Sequence, residues 1–334
     1  MAVARPMAVS WVQAFWTPPR IGAVLLAAAV PVLAGGNQYH LFAANTILIF
    51  AMLALGLQLV LGFGGVLQLG YAGFFGLGAY TSALVTTRFG YPFVLGFGAA
   101  MAVATLGGAI MSPIIRLRDV YFAMASFVFG LMLELIFNQW SSMTNGPIGF
   151  RGIPAPSIFG VAFVRPEHYY YLLLGVVLAE YLLLFRLLHS PFGTALQAMR
   201  ESEVACKTSG VNTAAIKVQL ILISSAIAGA AGSLLAHMNG FISPPSFGWA
   251  QSVTVLMMVV VGGVRSLPGA LLGAAAIRVV LEYTSALGRQ SNIVFGIVLI
   301  LFMAFLSNGL AGLARQILAA RPRRRQGDPR GAAA

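Results

Sequence analysis

The sequence predicts an all-α polytopic membrane protein, and two observations support that prediction. The 334 residues are 59% hydrophobic and only 8% charged, whereas a soluble domain has about 25% charged residues. The charges are also clustered, so that none lies in 21–87, 89–115 or 218–264. Each gap exceeds the run of about 20 apolar residues that a bilayer-spanning helix needs. A transmembrane β-barrel would show alternating segments of roughly ten residues, and the sequence has no such pattern.

We expect one transmembrane domain over residues 21–315, between a cytoplasmic N-terminal segment, 1–20, and a basic, disordered cytoplasmic tail, 316–334. Its apolar runs predict about ten transmembrane or partly re-entrant helices: 21–35, 43–62, 67–86, 92–112, 120–140, 169–188, 217–238, 251–264, 267–284 and 291–314. The third and eighth are glycine-rich or short. We expect them to be broken or re-entrant helices, which occur where protein or a water-filled cavity surrounds the backbone.

Lysines and arginines set the predicted orientation, because cytoplasmic loops carry an excess of positive charge. With the N-terminus in the cytoplasm, the outer loops hold only Arg88, Arg151, Arg165 and Arg289. Both termini are then cytoplasmic. The formal net charge of +12 therefore predicts no nucleic-acid partner, since the run "RPRRR" (321–325) suits an anchor beside anionic membrane lipid.

A short charged loop, residues 190–212, interrupts the apolar chain on the predicted cytoplasmic side. Ser190 and Pro191 predict a helix start, since a hydroxyl suits the N-cap and proline the first helical position. Apolar residues of helical spacing predict one apolar stripe: Phe192, Ala195, Leu196 and Met199. Gly210 can adopt the left-handed conformation that ends a helix. The charged loop is therefore expected to be one helix, a glycine turn and the start of the seventh span.

The charges of this loop favour a docking helix over a helix on the membrane surface. Glu203 and Lys207 are four residues apart with the acid first, the more stabilising order, and Asn212 or Thr213 can cap the next helix. A helix lying on lipid headgroups would favour lysine and arginine, but here the charges have mixed sign. A helix that inserts into a groove on a partner fits better, and composition alone leaves both interpretations open.

The charged loop resembles the cytoplasmic coupling loop of ABC importer permeases, in which a glutamate, two alanines and a glycine recur. They appear here as Glu203, Ala205, Cys206 and Gly210, with cysteine in one alanine position and the glutamate displaced by one residue. More closely, "SPFGTALQAMRESEVA" is similar to the LivM-type permeases of branched-chain amino acid importers. Further segments between 43 and 315 agree in colinear order: "GGVLQLGYAGFFGLGAY" (64–80), "RLRDVYFAMASFVFG" (116–130), "TNGPIGFRGIPAP" (144–156), "GFISPPSF" (240–247) and "VVGGVRSLPGALLGA" (260–274).

The resemblance implies a permease subunit in a bacterial inner membrane that carries branched-chain amino acids or a related small polar solute. Its implied partners are a second, LivH-like permease, cytosolic ABC ATPases and an external solute-binding protein. ATP and Mg would bind on the ATPases, so no cofactor, catalytic residue or metal site is expected in this chain. Contact with the ATPases is assigned to the charged loop: Met199, Arg200, Glu201, Glu203, Ala205, Cys206 and Gly210.

The chain's own residues also indicate that the energy for transport comes from elsewhere. A P-loop needs a lysine directly after a glycine, but the two lysines follow Cys206 and Ile216. Energy must therefore come from a partner or from an ion gradient. The four histidines lack metal-ligand spacing, and we expect the one within a span, His237, to be a hydrogen-bonded packing residue.

Charged residues within the spans keep a gradient-driven carrier or channel as the alternative function, because such proteins place ionisable groups in their membrane helices. The candidates are Glu134, Glu180 and the pair Arg278 and Glu282, which we expect to neutralise each other. For the two single glutamates a structural polar contact is the favoured interpretation. A scaffold that only recruits a soluble partner is the third hypothesis.

The glycine-rich third span is the predicted solute path. Its glycines let helices approach closely, which is the favoured role, but the exposed backbone of a broken helix can also bind a charged solute. Gln68 and Tyr71 stand where many LivM-type relatives have serine and histidine, so solute choice is the property they put in question. The candidate path residues are Gln68, Tyr71, Gly65, Gly70 and Glu134.

Overall fold

The computed structural model describes residues 18–33, 35–117, 119–158 and 161–285, and four further residues, 296, 309, 310 and 312. Within these ranges twelve α-helices follow one another: α1 (Pro18–Leu33), α2 (Gln38–Leu57), α3 (Tyr71–Thr87), α4 (Phe93–Met111), α5 (Asp119–Gln139), α6 (Ser141–Thr144), α7 (Pro166–Leu188), α8 (Pro191–Glu201), α9 (Glu203–Thr208), α10 (Thr213–Asn239), α11 (Trp249–Gly262) and α12 (Leu267–Ser285). A π-helical turn, Gln58–Phe63, extends α2. Turns of 3-10 helix occupy Ser112–Arg116, Gly146–Ile148 and Pro244–Phe247.

Two pairs of short strands form in the segments between the long helices. Strand β1 (Phe150–Arg151) pairs antiparallel with β4 (Phe241–Ile242), and β2 (Ser157–Ile158) pairs antiparallel with β3 (Val161–Ala162). The first pair joins the loop that follows α5 to the segment that follows α10. Both segments are thereby held at the same end of the helix bundle.

The prediction of an all-α polytopic membrane protein is confirmed. Seven helices of the described residues are long and apolar enough to cross a membrane: Gln38–Phe63, Phe93–Ile115, Val120–Gln139, Pro166–Leu188, Thr213–Asn239, Pro244–Gly262 and Leu267–Thr284. Helices α1 and α3 are shorter, with 16 and 17 residues. Nine predicted spans coincide in order with helices. Of the tenth, 291–314, only four residues are described, and the segments 1–17 and 316–334 lie outside the described residues.

Helix α10 forms the centre of the bundle and packs against α2, α3 and α4. Its 27 residues are almost all apolar or small, as expected of a helix that is buried on every side. Gly78 of α3 lies directly against Gly229, and an added Cβ at Gly229 would lie 2.6 Å from the Ala100 carbonyl oxygen of α4. Small residues therefore let three backbones approach closely, which is how helices gain packing energy in lipid.

The third predicted span, 67–86, has a non-helical lead-in. Residues 65–70 form no helix after the π-helical turn, and α3 begins at Tyr71, later than predicted. An added Cβ at Gly70 would lie 3.0 Å from the backbone nitrogen of Gly130, near the middle of α5. Helix α3 therefore begins inside the bundle and not at its surface, as expected of a broken helix.

The eighth predicted span, 251–264, begins in the same region. After α10 the chain turns at Gly240, with a left-handed φ of 65°, and continues through β4 and a 3-10 turn to the start of α11. The Ser252 hydroxyl in the first turn of α11 accepts a hydrogen bond from the Ala72 nitrogen at 2.9 Å. The N-termini of two helices thus meet beside the middle of α5.

We predict that Gly229→Ala destabilises the bundle, because the added methyl group would press on the backbone of α4, and overpacking costs about 1–3 kcal/mol. Gly98→Ala is the matched control, since it lies in the same bundle with nothing within 4 Å of an added Cβ. The thermal unfolding midpoint of the detergent-solubilised chain should fall for Gly229→Ala only. Equal midpoints for the two variants would contradict the tight packing of α10.

Candidate functional site

The charged loop folds as two short helices, α8 and α9. The prediction of one helix ending at Gly210 is wrong, because Ser202 has extended backbone angles of φ −154° and ψ 101°. The Ser202 hydroxyl accepts a hydrogen bond from the Ala205 nitrogen at 3.2 Å and so caps a new helix. Ser190 is the N-cap of α8, as predicted, but its hydroxyl donates backwards to the Leu187 carbonyl at 2.6 Å.

The apolar stripe of α8 is buried against this chain itself. Leu196 and Met199 are 0% and 3% exposed, so Met199 contacts the membrane domain and not the surface. An added Cβ at Gly193 would overlap the Leu188 carbonyl at the end of α7, which shows how closely α8 is seated. The opposite side of both short helices is exposed: Thr194, Gln197, Ala198, Glu201, Val204 and Ala205.

Arg200 joins the charged loop to the non-helical segment before α3. Its guanidinium donates a hydrogen bond to the Gly62 carbonyl. Its side chain also covers Gly65, where an added Cβ would lie 3.2 Å from Arg200 Cγ. Gly65 has a left-handed φ of 69°, a conformation that favours glycine. The candidate path residue Gly65 therefore lies directly beneath the charged loop.

Two arginines face one cavity on this side of the protein. Burial lowers the pKa of the Arg200 guanidinium, and the charge of Arg265 lowers it further. The cavity has a volume of about 220 Å³ and is lined by Phe63, Gln197, Arg200, Glu201 and Arg265. Arg265 stands alone between two apolar runs, so its position in the sequence does not indicate that it lies near Arg200.

Glu203 binds both lysines of the chain and ties α9 to the start of α10. Its carboxylate oxygens lie 3.0 Å from Lys207 Nζ, the predicted pair, and 2.8 Å from Lys217 Nζ. The Lys217 side chain is 11% exposed and that of Lys207 is 60% exposed, so the pair with Lys217 is the better shielded from water. The hydrogen bond from Lys217 holds the pKa of the Glu203 carboxyl below its usual range, although burial opposes this shift.

Helix α9 is followed, as predicted, by a turn at Gly210, which has a left-handed φ of 81°. The backbone nitrogens of Gly210 and the next residue donate to carbonyls of the last turn of α9. Cys206 faces the protein core and is 7% exposed, whereas Ala205 is exposed. Asn212 is the cap of α10, one of the two predicted candidates, and accepts a hydrogen bond from the Ala215 nitrogen at 3.0 Å.

The candidate path residues do not line one cavity in the part of the chain that the structure describes. Gln68 is fully buried, and its amide has no hydrogen-bond partner among the described residues. Tyr71 is also fully buried, and its hydroxyl donates to the Ser224 carbonyl at 3.1 Å, which holds α3 against α10. Gly70 packs against α5, whereas Gly65 lies under the charged loop.

Glu134 and two serines surround the starts of α3 and α11. An added Cβ at Gly248, the N-cap of α11, would lie 2.9 Å from Glu134 Oε1. The Ser126 hydroxyl of α5 accepts a hydrogen bond from the Leu69 nitrogen at 3.1 Å. The Ser252 hydroxyl accepts one from the Ala72 nitrogen, in the first turn of α3. The sequence analysis did not single out these serines or Gly248. The two prolines and the glycine of "SPPSFG" (243–248) were the sequence signal that a helix, α11, begins just after them.

The other charged groups of the spans have different surroundings. Both carboxylate oxygens of Glu180 are buried without a hydrogen-bond partner among the described residues. The Arg278 guanidinium lies 4.6 Å from the centroid of the Phe50 ring. Glu282 accepts a hydrogen bond from the Tyr39 hydroxyl at 2.5 Å.

His237 is a hydrogen-bonded packing residue, as predicted. Its ring nitrogens lie 2.9 Å from Ser82 Oγ and 2.7 Å from the Pro154 carbonyl oxygen. Ser233 extends this cluster by donating to Ser82 Oγ at 2.7 Å. The C-terminal end of α10 is thereby fixed to α3 and to the loop that follows α5.

Comparison with known proteins identifies the family. Residues 39–303 match the permease component of branched-chain amino acid transport systems. The LivM permease protein of the high-affinity branched-chain amino acid transport system of Escherichia coli K12 is 32% identical over 319 residues, which cover 88% of this chain and 75% of that protein. The chain belongs to this permease family.

More distant relatives agree. The probable LivM permease of Methanocaldococcus jannaschii is 26% identical over 254 residues, covering 70% of this chain and 69% of that protein. The LivH permease of Escherichia coli K12 is 23% identical over 285 residues, covering 79% of this chain and 91% of that protein. The chain is thus a LivM-type permease subunit of an ABC importer and a multi-pass bacterial inner-membrane protein.

We predict that Lys217→Gln loosens the charged loop more than Lys207→Gln does, because Lys217 is the partner shielded from water. A hydrogen bond to a charged group contributes about 1.5–3 kcal/mol, whereas an exposed pair four residues apart contributes about 0.3–0.5 kcal/mol. Amide hydrogen exchange in residues 203–212 should therefore become faster in Lys217→Gln. Exchange in Lys207→Gln should stay close to that of the native chain, and equal effects would contradict the assignment.

The same contact predicts a pH dependence of definite sign. The pKa of Glu203 is lower in the folded chain than in the unfolded chain, where a glutamate titrates at about 4.3. The stabilisation is therefore present above that pH and is lost as the pH falls through the folded-state value. In Lys217→Gln the acid-induced increase in exchange should begin at a higher pH. An onset identical to that of the native chain would argue against the Lys217 contact.

Proposed function

We propose that this permease carries branched-chain amino acids, or a related small polar solute, powered by cytosolic ATPases that dock on the charged loop. An external solute-binding protein delivers the solute, and a LivH-like subunit supplies the second half of the path. The observation that carries this proposal is the construction of the charged loop. One side is anchored to the membrane domain by the Arg200–Gly62 and Glu203–Lys217 contacts, and the other side is free.

The exposed side of α8 and α9 is the docking surface in this proposal. It contains small and polar side chains together with Val204, which is 74% exposed. An exposed valine between charged residues suits a helix that inserts into a groove on a partner protein. Glu201 and Ala205 lie on this exposed side, whereas Met199 and Cys206 hold the loop from below.

The anchored side supplies a route for motion from the ATPases to the membrane helices. A displacement of the charged loop would act on α10 through Lys217 and on the start of α3 through Gly62 and Gly65. These two helices meet again at Tyr71, whose hydroxyl bonds to α10. ATP and Mg act on the partner subunits, and this chain converts the movement into a change at the broken helices.

The solute path belongs, in this proposal, to the region where α3 and α11 begin beside α5. The candidates there are Gln68, Gly70 and Glu134, with Gly65 at the cytoplasmic end. Tyr71 supports the path as a packing residue. The orientation has both termini in the cytoplasm, as the distribution of arginines indicates, with the basic tail beside anionic lipid.

We predict that Val204→Asp weakens ATPase docking while the chain still inserts and pairs with its second permease. Val164→Asp is the matched control, because Val164 is 72% exposed and lies outside the charged loop in the segment before α7. The readout is the amount of P-loop ATPase that copurifies with the tagged chain in mild detergent, with ATP-dependent leucine uptake measured alongside. Val204→Asp should lose most of the ATPase and Val164→Asp should retain it.

A change on the anchored side tests the same loop independently. Proline fits the first position of a helix, which Glu203 occupies in α9, so Glu203→Pro should remove the carboxylate that binds Lys217 and lose coupled uptake at a normal level of membrane insertion. Normal ATPase recovery and normal uptake in both Val204→Asp and Glu203→Pro would overturn the docking assignment.

A further inference from the structure

Glu134 is the one charged residue of the apolar span Val120–Gln139, whose mean hydropathy is 2.0. Its side chain is partly exposed at the surface of the chain. Its backbone carbonyl accepts a hydrogen bond from the Asn138 amide at 3.1 Å, but its carboxylate has no hydrogen-bond or ion-pair partner among the described residues. A charged group at the surface of a membrane span therefore has no partner in this part of the chain.

The surroundings of this carboxylate are built from three elements. Phe127, Leu131 and Glu134 follow one another at helical spacing on α5. Phe127 and Leu131 line the narrow gap between α3, α5 and the start of α11, which we call the seam. Gly248 lies against the carboxylate, because any side chain there would meet both oxygens within 3.1 Å. The next residue, Trp249, is 55% exposed. Glu134 thus lies beside the N-terminus of a helix whose first residue is an exposed tryptophan.

A lipid-facing position does not suit this group. Ionisable residues of membrane spans face a water-filled cavity or another protein segment, because a charge in hydrocarbon is strongly unfavourable. The positive end of α11 makes the negative charge of Glu134 more favourable and explains why the acid lies beside Gly248. It does not explain why the side chain is partly exposed. Leu135 and Met132, the neighbours with 60% and 46% exposure, are the residues that suit lipid.

We propose that Glu134 lines the solute path between the two permease subunits and binds the ammonium group of an amino-acid solute. This inference rests on the proposed transport of amino acids. The carboxylate is the natural partner of a primary ammonium, and an exposed indole such as that of Trp249 attracts cations. Just beyond, the seam between α3, α5 and α11 is too tight to hold water. An entering solute would therefore stop at Glu134 until the seam opens.

The first test is uptake by the complete importer, with the binding protein and ATPases, in proteoliposomes supplied with L-leucine. Because a charged hydrogen bond is worth about tenfold or more in equilibrium terms, Glu134→Gln should lower leucine uptake by at least about tenfold. Glu134→Asp should recover part of it. Recovery of the assembled subunits should stay native. Glu167→Gln is the control, since Glu167 lies in the first turn of α7, away from the seam.

The second test measures water access and is independent of transport. Glu134→Cys, Trp249→Cys and Leu135→Cys are each labelled in membrane vesicles with a cationic methanethiosulfonate, and the native chain with its buried Cys206 gives the background. Glu134→Cys and Trp249→Cys should react, and L-leucine with the binding protein should slow both. Leu135→Cys should not react, although its side chain is more exposed than that of Glu134 in the single chain.

The two tests separate this inference from the proposed function. Native leucine uptake in Glu134→Gln, or labelling of Leu135→Cys as fast as that of Glu134→Cys, would overturn the assignment of Glu134 while leaving the importer intact. A native importer that does not carry leucine would instead refute the proposed solute class. Water access restricted to Glu134 and Trp249 would then still support their place on the path.

Discussion

The contact between Glu203 and Lys217 is the interaction on which the functional account depends. Lys217 belongs to α10, the helix that most of the bundle surrounds, and its ammonium is largely shielded from water. Arg200 makes a second attachment, to the end of α2. A loop held at two points moves with the membrane helices, whereas a helix lying on headgroups would move independently. The far end of α10 is fixed at His237, so one helix links the two sides of the protein.

The apolar surroundings explain why so few polar contacts are needed. Lipid provides no hydrophobic drive between helices, so close backbone packing at glycines such as Gly229 stabilises the bundle. The same feature permits α3 and α11 to begin inside the protein. Backbone groups that a regular helix would satisfy are instead satisfied by the hydroxyls of Ser126 and Ser252. The broken helices are therefore a packed part of the fold.

Sequence patterns predicted the features that depend on local chemistry. Apolar runs located nine helices, Gly210 marked a turn that needs a left-handed residue, and the order of Glu203 and Lys207 predicted an ion pair. The break at Ser202 was missed because a serine hydroxyl suits a solvated surface as well as a cap. Periodicity showed that α8 has an apolar stripe but not what covers it. Contacts such as Glu203–Lys217 and Glu134–Gly248 join residues across a turn or across the bundle, and no local pattern specifies them.

The most direct test of the account is a charge exchange at the Glu203–Lys217 contact, measured as solute carried per ATP hydrolysed by the complete importer. Glu203→Lys and Lys217→Glu should each insert normally, hydrolyse ATP and lose most of the coupled uptake. The double variant restores one attractive pair beside Lys207 and should recover a large part of it. Native coupling in either single variant, or a double variant no better than the single ones, would show that this contact does not join the charged loop to the membrane helices.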